Sequence, residues 1–116
     1  MVNHADLSRQ LALALGYAPE SVRVESSVIS DENEYVTVYT DRYNYGHGGF
    51  WYDFDYRDPS VCLPLIKWLI HNHYATIEEK RAANKEAGVF IAGDGWYWAD
   101  TLEEAVARAC IAVGVR

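Results

Sequence analysis

Two aspartates, Asp53 and Asp55, stand two residues apart in the aromatic stretch GFWYDFDY and are the clearest candidates for chemistry. Carboxylates on one strand face could bind a divalent metal ion or act as a general acid–base pair, and Asp41, His47 and Asp58 could lie near them. No recognisable motif supplies the ligand count that a metal cage needs, and alternating acids on a solvated strand face are the commoner arrangement. We therefore predict no metal, no cofactor and no catalytic residue here.

The glycine-rich stretch YGHGG before this strand could instead bind a small ligand. Its glycines could bring backbone N–H groups to the ligand, while Tyr43, Tyr45 or Trp51 stacks on a base. The candidate residues for this alternative are Arg42, His47, Gly48 and Arg57. A hairpin loop without a ligand is the commoner use of such glycines. The stretch is not a P-loop, because the Lys-Ser/Thr ending is missing.

Binding to a basic protein is a further use for the acidic residues. The chain has 10 Lys and Arg against 17 Asp and Glu, a formal net charge of -7, and no stretch concentrates basic residues. Direct nucleic-acid binding is therefore disfavoured, whereas rows of carboxylates could imitate a phosphate backbone toward a basic protein. The predicted partner-binding residues are Asp31, Glu32, Glu34, Asp41, Tyr43, Tyr45, Trp51, Asp53 and Asp55.

The histidines and tryptophans of two short motifs have structural explanations. His71 and His73 of the tripeptide HNH fall at the end of a predicted helix, where the helix dipole favours histidine. Trp96 and Trp98 of WYWAD share one strand face, and the pattern predicts that they pack in the core. An exposed pair would instead anchor an interface, because Trp is enriched in binding hot spots.

The spacing of apolar and polar residues predicts the elements that hold these candidates. Helices are predicted over roughly 4–15, over 59–74 behind an Asp58 cap, and after a Thr101 cap, with a further short exposed helix over 76–87. Three strands lie between the first two helices, and GDG joins two short strands before the last helix. The predicted fold is a single α+β domain over 1–116, with a mainly antiparallel sheet, three to four helices and the order α-β-β-β-α-(α)-β-β-α.

Alternation along the third strand gives it an aromatic face and an acidic face. The acidic face, with Trp51, Asp53 and Asp55, is predicted to meet solvent. The helix over 59–74 is apolar around most of its circumference, which indicates a second buried face or a homo-oligomer through this helix. The aromatic face, predicted to belong to the core, consists of Phe50, Tyr52, Phe54 and Tyr56.

The cysteines and the first residues bear on the compartment. Cys62 and Cys110 lie in apolar helical patterns and not in metal-ligand spacing, which predicts buried, reduced thiols. The N-terminal stretch MVNHADLSRQLALALGY carries charges within its apolar run and lacks a basic n-region. It is therefore predicted to be neither a signal peptide nor a membrane span, and we expect a cytoplasmic protein.

Three segments, DLSRQLALALGY, DYRDPSVCLPLIKWL and WYWADTLEEAVARACIAVGV, resemble the bacteriophage and prophage ABA-sandwich proteins. The resemblance covers under half of the chain, and its motifs are patterns of packing and capping. It implies an initial helix, strands, a helix with a short polar cap, more strands and a final alanine-rich helix. Such proteins come from phage genome regions in which host-takeover and anti-defence functions are frequent, and the resemblance transfers no catalytic residue.

We consider three hypotheses on this basis. In the first, a phage-encoded non-enzymatic protein uses its acidic and aromatic surface to bind a host protein, for instance a nucleic-acid-binding defence component, as an anti-CRISPR-like inhibitor. In the second, the chain sequesters a nucleotide immune signal with the glycine-rich loop. In the third, it is a metal-dependent hydrolase built on the aspartates. No membrane partner is expected in any of them.

Overall fold

The computed structural model describes residues 3–27, 34–40, 49–79 and 86–114. Within these ranges, six strands form two antiparallel sheets, which we call sheet A (β1-β2-β3) and sheet B (β4-β5-β6), so the fold is α+β as predicted. A 3-10 turn at Pro19–Ser21 precedes β1. The helices are α1 (His4–Ala14), α2 (Pro59–His73) and α3 (Leu102–Val113), and the strands are β1 (Val22–Ser26), β2 (Glu34–Thr40), β3 (Phe50–Phe54), β4 (Thr76–Glu79), β5 (Ala87–Ile91) and β6 (Gly95–Ala99).

Side-chain caps begin the three described helices, and those of Asp58 and Thr101 stand where the sequence predicts them. Asn3 accepts a hydrogen bond from the Asp6 backbone N–H at 2.9 Å. Asp58 does the same for Ser60 at 2.9 Å, with Pro59 at the first position of α2. Thr101 accepts from the backbone N–H of Glu104 at 3.2 Å. Each cap satisfies an N–H group that has no partner within its own helix, and so fixes where the helix starts.

The helix predicted over 76–87 is wrong at its start, because Thr76–Glu79 is strand β4. Tyr74 has a left-handed backbone with φ of 51°, and it ends α2 so that the chain can turn back along β5. Ile77 then lies opposite Val89 in the antiparallel register and packs against the core. Pairing with β5 therefore overrides the local helix signal. Residues 80–85 lie outside the described part of the chain.

Two helices join the sheets through one core. The helix α1 lies over β1 and β2 of sheet A, α3 lies over β5 and β6 of sheet B, and α1 packs against α3. Leu11 of α1, Val89 of β5 and Ala105 of α3 have no exposed surface. Burial of such side chains is the main stabilising term for a domain of this size. Within the described ranges, no helix has both the length and the apolar character needed to cross a bilayer.

Helix α2 packs on α3 with one face and leaves its other apolar face open. Leu69 is fully buried, whereas Leu63 and Ile70 are 57% and 44% exposed. The sequence predicted a second buried face or a partner, and the chain itself does not bury these two side chains. A homo-oligomer through this helix stays a prediction.

The aromatic face of β3 is only half in the core. Phe54 and Tyr56 are buried as predicted, but Phe50 and Tyr52 are 49% and 40% exposed. The prediction is therefore wrong for the first two residues. The physical reason is the position of α1, which lies over β1 and β2 and not over the start of β3.

The predicted core packing of Trp96 and Trp98 is also wrong, because both rings lie on the outer face of sheet B. The two indoles stack with centroids 4.9 Å apart and planes 18° apart. Tyr97, between them, packs against the core instead. A Cβ atom on Gly88 would lie 2.6 Å from the Trp98 ring. The Trp98 ring therefore occupies the space that a side chain at position 88 would need.

This contact predicts that the effect of Gly88→Ala depends on Trp98. In the wild type, the added methyl group must displace the ring, and we expect the free energy of unfolding to fall by about 1 kcal/mol. In a Trp98→Ala background, the same change is expected to raise it by about 0.5 kcal/mol, because alanine loses less chain entropy than glycine in a strand. Urea denaturation of the four proteins measures both effects, and an equal effect in both backgrounds would contradict the explanation.

Candidate functional site

A cleft of about 280 Å³ opens where the start of α1 meets the ends of sheet A and the start of α2. We call it the acidic cleft. Among the described residues, its lining has four carboxylates against one arginine and one histidine. The charged or aromatic residues that line it are His4, Glu34, Tyr35, Asp53, Phe54, Asp55, Arg57 and Asp58.

One of the four carboxylates is neutralised inside the cleft wall. Arg57 donates to Asp55 from Nε at 2.9 Å and from Nη2 at 2.7 Å, and the Arg57 backbone N–H donates to the same carboxylate at 2.9 Å. Partial burial raises the pKa of Asp55, but these hydrogen bonds and the arginine charge outweigh it, and the net pKa is lowered. This two-point geometry holds both side chains in place.

Tyr56 stands between the cleft residues Asp55 and Arg57 and ties three segments together. Its hydroxyl lies 2.6 Å from Nδ1 of His4, and its backbone N–H donates to Oγ of Ser8 at 3.0 Å. Both partners come from α1, while Tyr56 itself stands between β3 and α2. Burial, reinforced by the charge of Glu104, raises the pKa of the Tyr56 hydroxyl to about 12. The cleft is therefore preformed by contacts made inside the chain.

The outer face of sheet A continues from the cleft along β3. Trp51 is only half-buried, but the guanidinium carbon of Arg23 lies 3.9 Å from its ring centroid and Tyr39 packs beside it with centroids 5.5 Å apart. Thr37, which pairs with Asp53 across the sheet, has a buried hydroxyl without a hydrogen-bond partner in the described residues. Trp51 thus acts mainly as a support for Arg23, and Asp53 is the exposed charge next to it.

The structure brings together only part of the predicted site. From the partner-binding set, Glu34, Asp53 and Asp55 meet at the acidic cleft, while Trp51 lies on the outer face of sheet A. Arg57, from the ligand-binding set, lies in the same cleft. The other members of both sets lie outside the described residues: Asp31, Glu32, Asp41, Arg42, Tyr43, Tyr45, His47 and Gly48.

Sequence reasoning missed two cleft residues, His4 and Tyr35. His4 is 52 residues from Tyr56 in the chain, so no local pattern could indicate their contact. Tyr35 precedes the buried Val36 and Thr37 on β2, and in the sequence it is identifiable only as an aromatic residue beside an acid. Asp58 was predicted as a helix cap, and it both caps α2 and lines the cleft.

Metal-binding geometry is missing from the part of the chain that the structure describes, where no group of three or more His, Cys, Asp and Glu side chains could hold an ion. Cys62 and Cys110 are both buried and unpaired with each other, as expected from their positions in apolar helices. Burial raises the pKa of Cys62 to about 11 and that of Cys110 to about 12. Thiols with such pKa values are poor nucleophiles and poor metal ligands at neutral pH.

Comparisons of the chain with models of protein families, with curated proteins and with solved structures gave no match. The resemblance to phage ABA-sandwich proteins therefore stays a prediction.

The buried hydroxyl and thiols predict that stability falls steeply in alkaline solution. Tyr56, Cys62 and Cys110 have ordinary pKa values of 10.0, 9.0 and 9.0 when unfolded, and burial raises all three in the folded protein. The contribution of these three groups to the free energy of unfolding is complete below pH 9, and it is lost as the pH rises toward 11 to 12. The urea concentration at the midpoint of unfolding should therefore decrease steadily between these two pH limits.

A double variant, Cys62→Ala and Cys110→Ala, separates the thiols from Tyr56. It removes both thiols, so its alkaline loss should begin near the ordinary pKa of Tyr56, 10.0, and not near 9.0. Identical pH profiles for the variant and the wild type would contradict the assignment.

Proposed function

We propose that this chain is a non-enzymatic binding protein that receives a basic surface of a partner protein at the acidic cleft. The observation that carries the proposal is the charge left over in the cleft. Asp55 is held by Arg57, whereas no Lys or Arg within the described ranges pairs with Glu34, Asp53 or Asp58. Because Asp58 is committed to capping α2, Glu34 and Asp53 are the charges offered outward.

The surroundings of Glu34 and Asp53 suit a cationic side chain. Two charges about 4 Å apart interact by about 4 kcal/mol at the effective dielectric of a protein surface, before the cost of desolvation. Tyr35 lies on the same face of sheet A as Asp53 and has 42% of its surface exposed, so an arginine that binds Asp53 can stack on its ring. The Tyr56 contacts hold the walls in place, which reduces the entropy lost on binding.

The partner that we propose is a host protein that handles nucleic acid, such as a defence component. The net charge of -7 supports this, because a protein surface that binds phosphates is complementary to a row of carboxylates. The resemblance of three segments to phage ABA-sandwich proteins supports a phage origin and an inhibitory role. Inhibition would then follow from occupying the surface that nucleic acid normally uses.

No described contact favours the two other hypotheses. Of the two arginines predicted for nucleotide binding, Arg57 is the one within the described ranges. It is paired with Asp55 in a cleft whose other described side chains are mainly carboxylates, which would repel a phosphate. For the hydrolase, Asp55 is engaged by the same arginine and cannot act with Asp53 as a free acid–base pair. Both therefore rest on the residues outside the described ranges.

Charge reversal in the cleft tests the proposed function. We expect an arginine-rich ten-residue peptide to bind the wild type, and the double variant Glu34→Lys and Asp53→Lys to weaken this binding at least tenfold, about 1.4 kcal/mol. The matched control is Glu78→Lys with Glu79→Lys, which makes the same change in net charge on exposed positions of β4. Fluorescence anisotropy of a labelled peptide measures both. Equal weakening by the two variants would show only a general charge effect and would contradict a specific cleft.

A further inference from the structure

A second cavity, of about 410 Å³, adjoins the acidic cleft and is mostly apolar. We call it the apolar groove. Both cavities are lined by Asp53 and Phe54, so they meet at the end of β3. The groove lies between the end of α1, the strands β2 and β3, and the first turns of α2, and its apolar walls include Leu15, Val38, Tyr52, Phe54, Val61 and Pro64.

The groove exists because the aromatic face of β3 is not completely covered. Tyr52 lines it and keeps 40% of its surface exposed, and Phe50 contacts Tyr52 with centroids 6.3 Å apart. Helix α2 packs mainly on α3, and a space remains between Val61 and the strands of sheet A. A cleft of this size with aromatic and aliphatic walls has the usual properties of a binding pocket.

We propose that one segment of the basic partner occupies both cavities, with a cationic side chain in the acidic cleft and an apolar side chain in the apolar groove. This inference rests on the proposed function and adds the sequence feature that the partner must have. Alternate side chains of an extended segment are about 7 Å apart. Because Phe54 lines both cavities, a cation and an apolar residue separated by a few positions can reach the two cavities together.

Charge complementarity selects this occupant over two others. A second copy of the chain would bring a net charge of -7 and its own carboxylates against Asp53 and Asp58. An uncharged apolar molecule would fill the groove but leave the adjoining carboxylates without a partner. A basic segment with an apolar residue uses both surfaces, and the desolvated apolar contact supplies affinity that rim charges alone do not.

Matched peptides test the inference against the wild-type protein. The arginine-rich peptide serves as the parent, and leucine or alanine is placed one, two or three positions from its central arginine. Complete burial of a leucine side chain corresponds to at least a tenfold gain in affinity. We expect one leucine peptide to bind about tenfold more tightly than its alanine counterpart. If the parent binds but no spacing gains more than twofold, the groove inference fails while the proposed function stands. If no arginine peptide binds, both fail.

Two groove variants and one control assign the gain to the groove. Val61→Phe narrows the groove and should abolish the leucine advantage without weakening the alanine peptide. Tyr52→Ser removes an exposed wall with little effect on the core and should do the same, so the test survives if Val61→Phe does not fold. Leu63→Ala is the matched control, because Leu63 is exposed on the same helix but does not line the groove.

Three outcomes would overturn the inference. Light scattering that shows a dimer of the wild type, lost in Tyr52→Ser, would assign the groove to a second copy of the chain. Equal affinity of a leucine peptide for the wild type and for the Glu34→Lys and Asp53→Lys variant would show that the groove binds apolar groups independently of charge. Retention of the leucine advantage in both groove variants would place the apolar contact elsewhere on the surface.

Discussion

The geometry of the acidic cleft depends on one buried side chain, Tyr56. Its hydroxyl and its backbone N–H contact His4 and Ser8 of α1, and it stands at the junction of β3 with α2. A buried phenol that lost these partners would carry the cost of unsatisfied polar groups, so the interactions specify one arrangement of three segments. The residues on either side of Tyr56, Asp55 and Arg57, then lie at the cleft by chain connectivity. A core contact thus determines where the charges of a surface site are held.

Pairing within the cleft divides its carboxylates into two groups with different roles. Asp55 is satisfied by Arg57 and supports the wall, whereas Glu34 and Asp53 keep their charge toward solvent. An internal ion pair of this kind is rigid but contributes little attraction to a partner. Counting acidic residues in the sequence therefore overestimates the attractive charge, because within the described ranges only Glu34 and Asp53 of the predicted set line the cleft without a Lys or Arg partner.

Local chemistry made part of the fold predictable. Asp58 and Thr101 were identifiable as caps because a capping side chain contacts a backbone group only two or three residues away. The alternation of β3 was equally visible, since successive strand residues point to opposite faces. Which of those residues would be covered was not visible, because the cover comes from α1, whose position depends on contacts between residues far apart in the chain.

The failures of prediction have the same physical origin. Thr76–Glu79 forms a strand because Ile77 finds Val89 on β5, which outweighs its capping pattern. Helix α3 covers one face of sheet B, and Trp96 and Trp98 lie on the opposite face, where they stay exposed. In the candidate site, Asp53 and Glu34 were identifiable by residue type. The position of His4 at the cleft was not, because His4 is held there by Tyr56, which is 52 residues away in the chain.

The stacked indoles on sheet B carry a consequence for how this protein can change in evolution. Gly88 does not have a left-handed backbone, so its own conformation does not require glycine; the requirement comes from the Trp98 ring above it. Positions 88 and 98 therefore constrain each other as a pair. Homologues that keep a large ring at 98 should keep glycine at 88, and those that lose the ring should accept ordinary strand residues there. Covariation of these two positions among distant relatives would then mark which residues of β5 and β6 face each other.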